Sequence, residues 1–379
     1  MKTYSTWFKH SALSIAIMSA TVGVATLPAP AFAQVETATL TGKITSDGQQ
    51  GQEGVEVTVR SPSRGFTKST TSRTDGTYVI LGLKPGTYQV SVGGQDSQEV
   101  KLLVGQTANM NFSVTGEVEG VERITVSGVR LESFSGGEVG TNITPEMMRN
   151  LPQSDRNFLA FADLAPGITV NRDANSGTVS LRGGAQHTSS VNVFLDGVSQ
   201  KDYVLKGGVA GQDTSRGNPF PQAAIGEYKV ITQNYKAEYE HVGSAAITAV
   251  TRSGTNEFEG EVFYDFTDEG LREAEPSEAE GKTPSSTVQK GATLSGPIIK
   301  DNLHFLMSYE NKAYETPFDV TGGSGVSAIN LPAEYASQIG TFAGEFDEDL
   351  FFGKLDWTIN DNQTLEGSYK YRSETDYRF

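Results

Sequence analysis

The sequence predicts a mainly β chain in three successive units: a small N-terminal β-sandwich, a compact α+β unit, and the first strands of an incomplete transmembrane antiparallel β-barrel. Three observations carry that prediction. Short period-two runs separated by Gly, Pro and Asp turns fill the N-terminal part. Two capped helical stretches and glycine loops then break the alternation. From Phe258 onward, longer alternating runs are joined by connections that are long and tight by turns, the habit of outer-membrane barrels.

Residues 1–33 stand apart from these units. Lys2, Lys9 and His10 make a basic start, Leu13 to Leu27 an apolar run, and Ala31-Phe32-Ala33 a small-x-small site before Gln34. This is the layout of a secretory signal peptide, and cleavage is expected between Ala33 and Gln34. The apolar run is too short for a membrane anchor and is followed by prolines. The chain has no cysteine, so an exported product carries neither a disulfide framework nor a lipid-bearing N-terminal cysteine. After Ala33 no stretch approaches about 18 consecutive apolar residues, which excludes a spanning helix and leaves a barrel open. A formal charge of -16 argues against nucleic acid as a partner.

Residues 34–115 read as the sandwich. Alternating runs fall at Ala38 to Ile44, Val55 to Arg60, Tyr78 to Leu81, Thr87 to Val92, Val100 to Val104 and Asn109 to Val114, with turns at Ser46-Asp47-Gly48, Thr74-Asp75-Gly76 and Lys84-Pro85-Gly86. Thr74-Asp75-Gly76-Thr77-Tyr78 and Leu83-Lys84-Pro85-Gly86-Thr87-Tyr88-Gln89-Val90 resemble the hallmark of carboxypeptidase-regulatory-like domains, which implies a transthyretin- or carbohydrate-binding-like sandwich. Residues 116–134 are polar and glycine-rich and suit a flexible linker, with a β-prone island at Ile124-Thr125-Val126. In residues 135–256, Thr144 caps a first helix that has Pro145 at its first position. Ser154 caps a second, whose apolar residues run from Phe158 to Leu164 before Pro166-Gly167.

Residues 257–379 supply the barrel strands. Phe258, Gly260, Val262, Tyr264 and Phe266 share one face of the first, and Glu259, Glu261 and Asp265 the other. Runs at Thr287 to Gly296, Leu303 to Lys312, Leu350 to Ile359 and Thr364 to Ser373 follow. Asp268 to Ser286 and Ala313 to Asp349 read as long outer loops, Ile299 to Asn302 and Asn360 to Gln363 as tight periplasmic turns. Closure needs at least about eight strands, and a lumen holding a plug about 22, so a truncated chain is expected. The alternating tyrosines before Phe379 are the competing detail, since an aromatic C-terminus resembles the assembly signal of complete barrels.

The stretch from Pro219 to Val230, followed by Glu240 to Gly260, resembles the end of the plug and the start of the barrel in TonB-dependent outer-membrane receptors, especially the Oar-like branch. Leu181-Arg182-Gly183-Gly184, Asn192 to Val198, Ile247 to Gly254 and Ser295 to Leu303 extend the resemblance. It implies that residues 135–256 are a plug. The plug motif is then Arg182, Gly183, Asp196, Gly197 and Arg252, whose arginines would meet the acidic inner strand face at Glu259, Glu261 and Asp265. Asp196-Gly197 also reads simply as a turn dipeptide. Glu122-Arg123-Ile124-Thr125-Val126-Ser127 resembles a TonB box, the segment gripped by the inner-membrane energy transducer. A last strand of a neighbouring unit is the plainer alternative for it.

The resemblance implies energised transport of a solute across the outer membrane, with TonB and outer-membrane lipid as partners. The contrasting class is a surface binding or adhesion protein that recognises carbohydrate or peptide without transport. No catalytic motif or metal-like Cys/His cluster is present, so no covalent chemistry, cofactor or metal is expected.

Overall fold

The computed structural model describes residues 36–46, 50–93, 97–118, 121–132, 137–153, 156–172, 178–204, 209, 215–274, 282, 285–321, 332–360 and 363–377. The signal-cleavage residues Ala33 and Gln34 lie outside them, as does Ser154.

The N-terminal unit is a two-layer sandwich. One sheet holds β1 (Ala38–Ser46), β2 (Gln50–Gly51), β5 (Thr77–Leu83), β8 (Thr107–Val118) and β9 (Val121–Glu132). The other holds β3 (Glu56–Arg60), β4 (Thr67–Thr71), β6 (Gly86–Val92) and β7 (Gln98–Leu102). Alternation places Leu40, Ile44, Val57, Val59, Ile80, Val90, Met110 and Phe112 between the layers, each at most 2% exposed. Two tyrosines enter this core because their hydroxyls find partners: Tyr78 OH donates to Met110 O at 2.6 Å, and Tyr88 OH to Lys84 O at 2.7 Å. The turn before β5 is built by Asp75, whose Oδ1 accepts from Thr77 N and Thr77 Oγ1, with Gly76 at φ 79°. A side chain at Gly42 would put its Cβ 1.9 Å from Met110 O, so glycine permits the close approach there.

Strand β4 is absent from the sequence reading, and strand β9 is the alternative it gave for the linker island. Strand β4 is polar throughout, TKSTT, so it offers no apolar alternation to detect. Strand β9 takes residues expected as linker and pairs them antiparallel with β8, Ile124 opposite Val114 and Thr125 opposite Ser113. It ends its sheet, whose order is β2-β1-β8-β9.

The central unit carries a five-stranded sheet in the order β10 (Val139–Ile143), β15 (Ile225–Gln233), β16 (Ala245–Thr251), β13 (Val191–Leu195), β14 (Val198–Ser199), and a separate hairpin of β11 (Ile168–Arg172) with β12 (Val179–Gly183). Helix α1 (Pro145–Asn150) forms as read, with Thr144 Oγ1 accepting from Met147 N at 3.3 Å. The second helix is a 3-10 segment, Phe158–Leu164, whose cap is Asn157, with its Oδ1 accepting from Leu159 N at 3.0 Å. Asn157 offers a short side-chain acceptor immediately before the apolar run, where Ser154 stands further off. The core of the unit is Ile143, Phe158, Leu159, Phe161, Val193, Phe220, Tyr228, Val230 and Ile247, with Leu306 and Phe352 contributed by the third unit.

That third unit is an antiparallel meander of β17 (Glu259–Asp268), β18 (Ser286–Ile299), β19 (Leu303–Val320), β20 (Gly340–Asn360) and β21 (Gln363–Asp376). Phe258, Val262, Tyr264, Phe266, Leu294, Met307, Leu355, Trp357, Leu365, Tyr369 and Tyr371 are exposed on its outer face, the alternation of a lipid-facing wall. The inner face lies under the central unit. The tight turns fall where read. The expected outer loop Ala313 to Asp349 is strand at both its ends: β19 and β20 stay paired from Leu303↔Trp357 to Val320↔Gly340. Pro317, Gly340 and Gly344 interrupt the run, so its sequence reads as loop. No described helix is long and apolar enough to cross a membrane.

Candidate functional site at the central unit and its wall

The central unit is fastened to the meander's inner face along two lines. The first runs through the loop before β15. Glu348 of β20 is wholly buried, and both carboxylate oxygens accept from Asn218 N, at 3.0 and 2.9 Å, while Arg372 Nε donates to Oε1 at 2.8 Å. Glu310 of β19, 4% exposed, accepts from Ala223 N at 2.8 Å and faces Arg156 Nη2 at 3.8 Å. The Arg156 guanidinium also lies 3.6 Å over the ring of Phe263, an inward residue of β17. Tyr314 OH donates to Arg216 O at 2.8 Å, and Arg216 pairs with Asp376. Main-chain donors of the loop thus close on wall carboxylates, a strong charge-assisted arrangement.

The second line runs through the motif residues. Asp196, at φ 44° in the β13–β14 turn with Gly197 at φ 77°, accepts from Thr251 N at 2.9 Å and Thr251 Oγ1 at 2.6 Å. Lys354 of the wall, 2% exposed in its side chain, donates to Thr251 Oγ1 at 2.9 Å and stands 3.7 Å from Asp196 and 3.2 Å from Glu366. Asp196 is therefore both turn residue and wall contact. Arg252 reaches Glu259 at 3.4 Å and Glu261 at 3.9 Å, and its Nη1 donates to Ala223 O. Arg182 does otherwise. It is exposed on β12 and makes no ion pair with a described residue, and neither does Asp265. Alternation assigns a side chain to a face without assigning it a partner, which is why one arginine meets acidic wall residues and the other does not. Gly183 is required by space, since a Cβ there would lie 2.7 Å from Ser244 Oγ.

The sandwich joins the same junction. Lys84 bridges Asp356 at 2.9 Å and Glu366 at 2.5 Å, both on the wall. Glu227 of β15 accepts from Val104 N, and Asn142 Nδ2 donates to Val104 O at 3.4 Å. Burial pushes the Glu227 carboxyl up to about 7, against the opposing influence of the Val104 N–H and Lys101. Burial, then Asp196, pushes Glu36 up to about 8 in the same region.

Residues Glu122 to Ser127 lie in β9. Glu348, Glu310, Lys354, Asn218 and Arg156 were missed by the sequence reading. The only signal was charge at inward positions of otherwise apolar strands, as in Leu350, Phe352, Lys354, Asp356. No group of three His, Asp or Glu suited to a metal occurs among the described residues.

Two of these units match known domain families. Residues 39–115 match the carboxypeptidase regulatory-like domain, and residues 250–322 an outer membrane beta barrel domain. Over 302 residues the chain is 29% identical to the TonB-dependent transporter Oar of Myxococcus xanthus, covering 74% of this chain and 27% of that protein. The chain thus spans about a quarter of the length of this curated relative. Solved structures that resemble it include a mutant of the ferric enterobactin receptor PfeA of Pseudomonas aeruginosa, at 18% identity and TM-score 0.43, covering 62% of this chain and 33% of that one. The outer membrane transporter YddB of Escherichia coli does so at 13% identity and TM-score 0.46, with the same coverage. The chain is thus a homologue of the TonB-dependent transporter Oar, with a carboxypeptidase regulatory-like domain followed by the strands of an outer membrane beta barrel domain.

Proposed function

We propose that the chain is the N-terminal portion of an active transporter whose plug gates a barrel and is energised through TonB, with the sandwich and the plug's N-terminal side in the periplasm. The observation that carries this reading is the closure of Asn218 N and Ala223 N on the buried wall carboxylates Glu348 and Glu310. A gate held by desolvated, charge-assisted bonds does not open without work done on it. Work enters through a flexible or extended segment on the N-terminal side, and Glu122 to Ser127 occupies that place. An extended segment adds to a partner's sheet by main-chain hydrogen bonds, which bear tension along the strand.

The test is binding of a peptide spanning Glu117 to Glu132 to the purified C-terminal domain of TonB, together with solute uptake by the complete receptor. Thr125→Pro and Val126→Pro remove a strand donor and should weaken binding and uptake. Thr125→Val keeps the main chain and should change both little. Proline variants that bind and transport like the parent, in a normally assembled barrel, would return the segment to a plain sandwich strand and favour the adhesion alternative.

A further inference from the structure

At the tight-turn end of the wall, the sandwich and the meander enclose a cavity of about 250 Å³. One side is sandwich, with Arg64 in the β3–β4 turn, Lys68 on β4 and Lys84 in the β5–β6 turn. The other is formed by the ends of β20 and β21, with Asp356, Trp357, Leu365 and Glu366. The volume falls below the roughly 300–1,000 Å³ of sites that enclose a drug-sized molecule, so it suits a headgroup better than a transported solute.

Three cations line this cavity against two carboxylates. Lys84 is engaged by both acids, its Nζ 2.9 Å from Asp356 and 2.5 Å from Glu366. The other two cations have no ion partner among the described residues. Arg64 Nη2 donates to Pro85 O at 3.0 Å and Lys68 Nζ to Leu81 O at 2.7 Å, so each is held by a neutral carbonyl and keeps its charge uncompensated. The turn that carries Arg64 is itself fixed on the rim. Asn256 N donates to Ser63 O at 2.7 Å, and a Cβ added at Gly65 would lie 2.0 Å from Asp301 Oδ1. A positioned guanidinium and an ammonium on one cavity supply the charge and the donors that a phosphodiester takes. Asp356 adds the opposite need. It is 8% exposed, and while Oδ1 meets Lys84, Oδ2 is buried without a partner, so a hydrogen-bond donor is wanted beside the anion.

The position of the cavity selects the source of that phosphate. Trp357 and Leu365 stand opposite each other in the β20–β21 ladder and are 45% and 57% exposed on the outward face, at the edge of the apolar band. A tryptophan at that edge sits at headgroup depth. We propose that the cavity binds the headgroup of a glycerophospholipid from the adjoining leaflet. Arg64 and Lys68 hold its phosphodiester, Asp356 Oδ2 accepts from an ethanolamine ammonium or a glycerol hydroxyl, and the acyl chains lie along Trp357 and Leu365. A lipid so held ties the sandwich to the wall through a molecule of the membrane itself. The inference needs neither TonB nor transport, and the proposed orientation enters only in naming the leaflet as the periplasmic one.

The experiment takes the complete receptor in detergent, strips it of lipid, and follows rebinding of phosphatidylethanolamine, phosphatidylglycerol and phosphatidylcholine of matched chains by native mass spectrometry. Phosphatidylethanolamine or phosphatidylglycerol should bind about tenfold tighter than phosphatidylcholine, whose head offers no donor to Asp356. Arg64→Gln and Lys68→Gln should each weaken that lipid about tenfold. Lys68 lies on the edge strand of its sheet, so its variant covers the case in which Arg64→Gln folds poorly. Lys300→Gln, on an exposed turn outside the cavity, should change nothing. Inorganic phosphate and soluble glycerophosphoethanolamine should displace the lipid only at far higher concentration, because neither brings acyl chains. Parent-like binding in both cavity variants, equal weakening by Lys300→Gln, equal affinity for phosphatidylcholine, or displacement by phosphate at the lipid's own concentration would each overturn the assignment. Failure of the 117–132 peptide to bind TonB would leave it standing.

Discussion

Replacing Glu348 by alanine should release the loop before β15 from the barrel wall. The carboxylate has no exposed surface and accepts from two donors, Asn218 N through both oxygens and Arg372 Nε. Breaking a buried pair by deleting one partner costs roughly 3–5 kcal/mol. Here the remaining charge is partly relieved, since the Arg372 side chain is 17% exposed and its Nη2 donates to Ser215 Oγ at 2.7 Å as well as to Glu374. A loss of about 2–3 kcal/mol is the reasoned value, which is about 30- to 150-fold in the closed-to-open ratio at about 1.4 kcal/mol per tenfold. Hydrogen exchange in the membrane-embedded receptor reads this directly, as faster exchange of Gly217 and Asn218 amides by that factor. Glu348→Gln should give a smaller effect, and a cycle with Arg372→Met should show coupling between the two residues. Parent-like exchange at Gly217 and Asn218 in Glu348→Ala would refute the claim that this carboxylate holds the loop.

Four further outcomes are expected. Burial in the folded chain pushes Glu227 up to about 7, above its ordinary 4.5, so folding binds a proton there. Its contribution is fully present below about 4.5 and is lost as pH rises towards 7, roughly 3 kcal/mol in all. Exchange at Val104 should therefore quicken across that window, and Glu227→Gln should flatten it. Residues 34–115 expressed alone should melt cooperatively, and Tyr78→Phe, which strands the buried Met110 carbonyl, should lower the midpoint by about 5–10 °C for roughly 1–2 kcal/mol. Gly42→Ala should abolish that melt, because its methyl would sit 1.9 Å from Met110 O against backbone that cannot yield. N-terminal sequencing of material from outer-membrane fractions should begin at Gln34.

Where chemistry is local, this sequence determined its structure unaided. The Asp75-Gly76 turn, the Thr144 cap with Pro145, the inward and outward faces of β17, and the tight Ile299–Asn302 and Asn360–Gln363 connections each depend on neighbours within a few residues, and each is where the residues place it. Tertiary structure alone decided partners. Asn218 meets Glu348 across 130 positions, and Lys354 meets Thr251 across 103. Periodicity says which face of a strand a charge occupies, and only the packing of the meander against the central unit says what stands opposite. The same limit separates Arg252, which found Glu259, from Arg182, which remains at the surface. It also explains β9: a polar, glycine-containing segment becomes strand because β8 offers it an open edge, and that edge is a property of the folded sandwich rather than of residues 121–132 themselves.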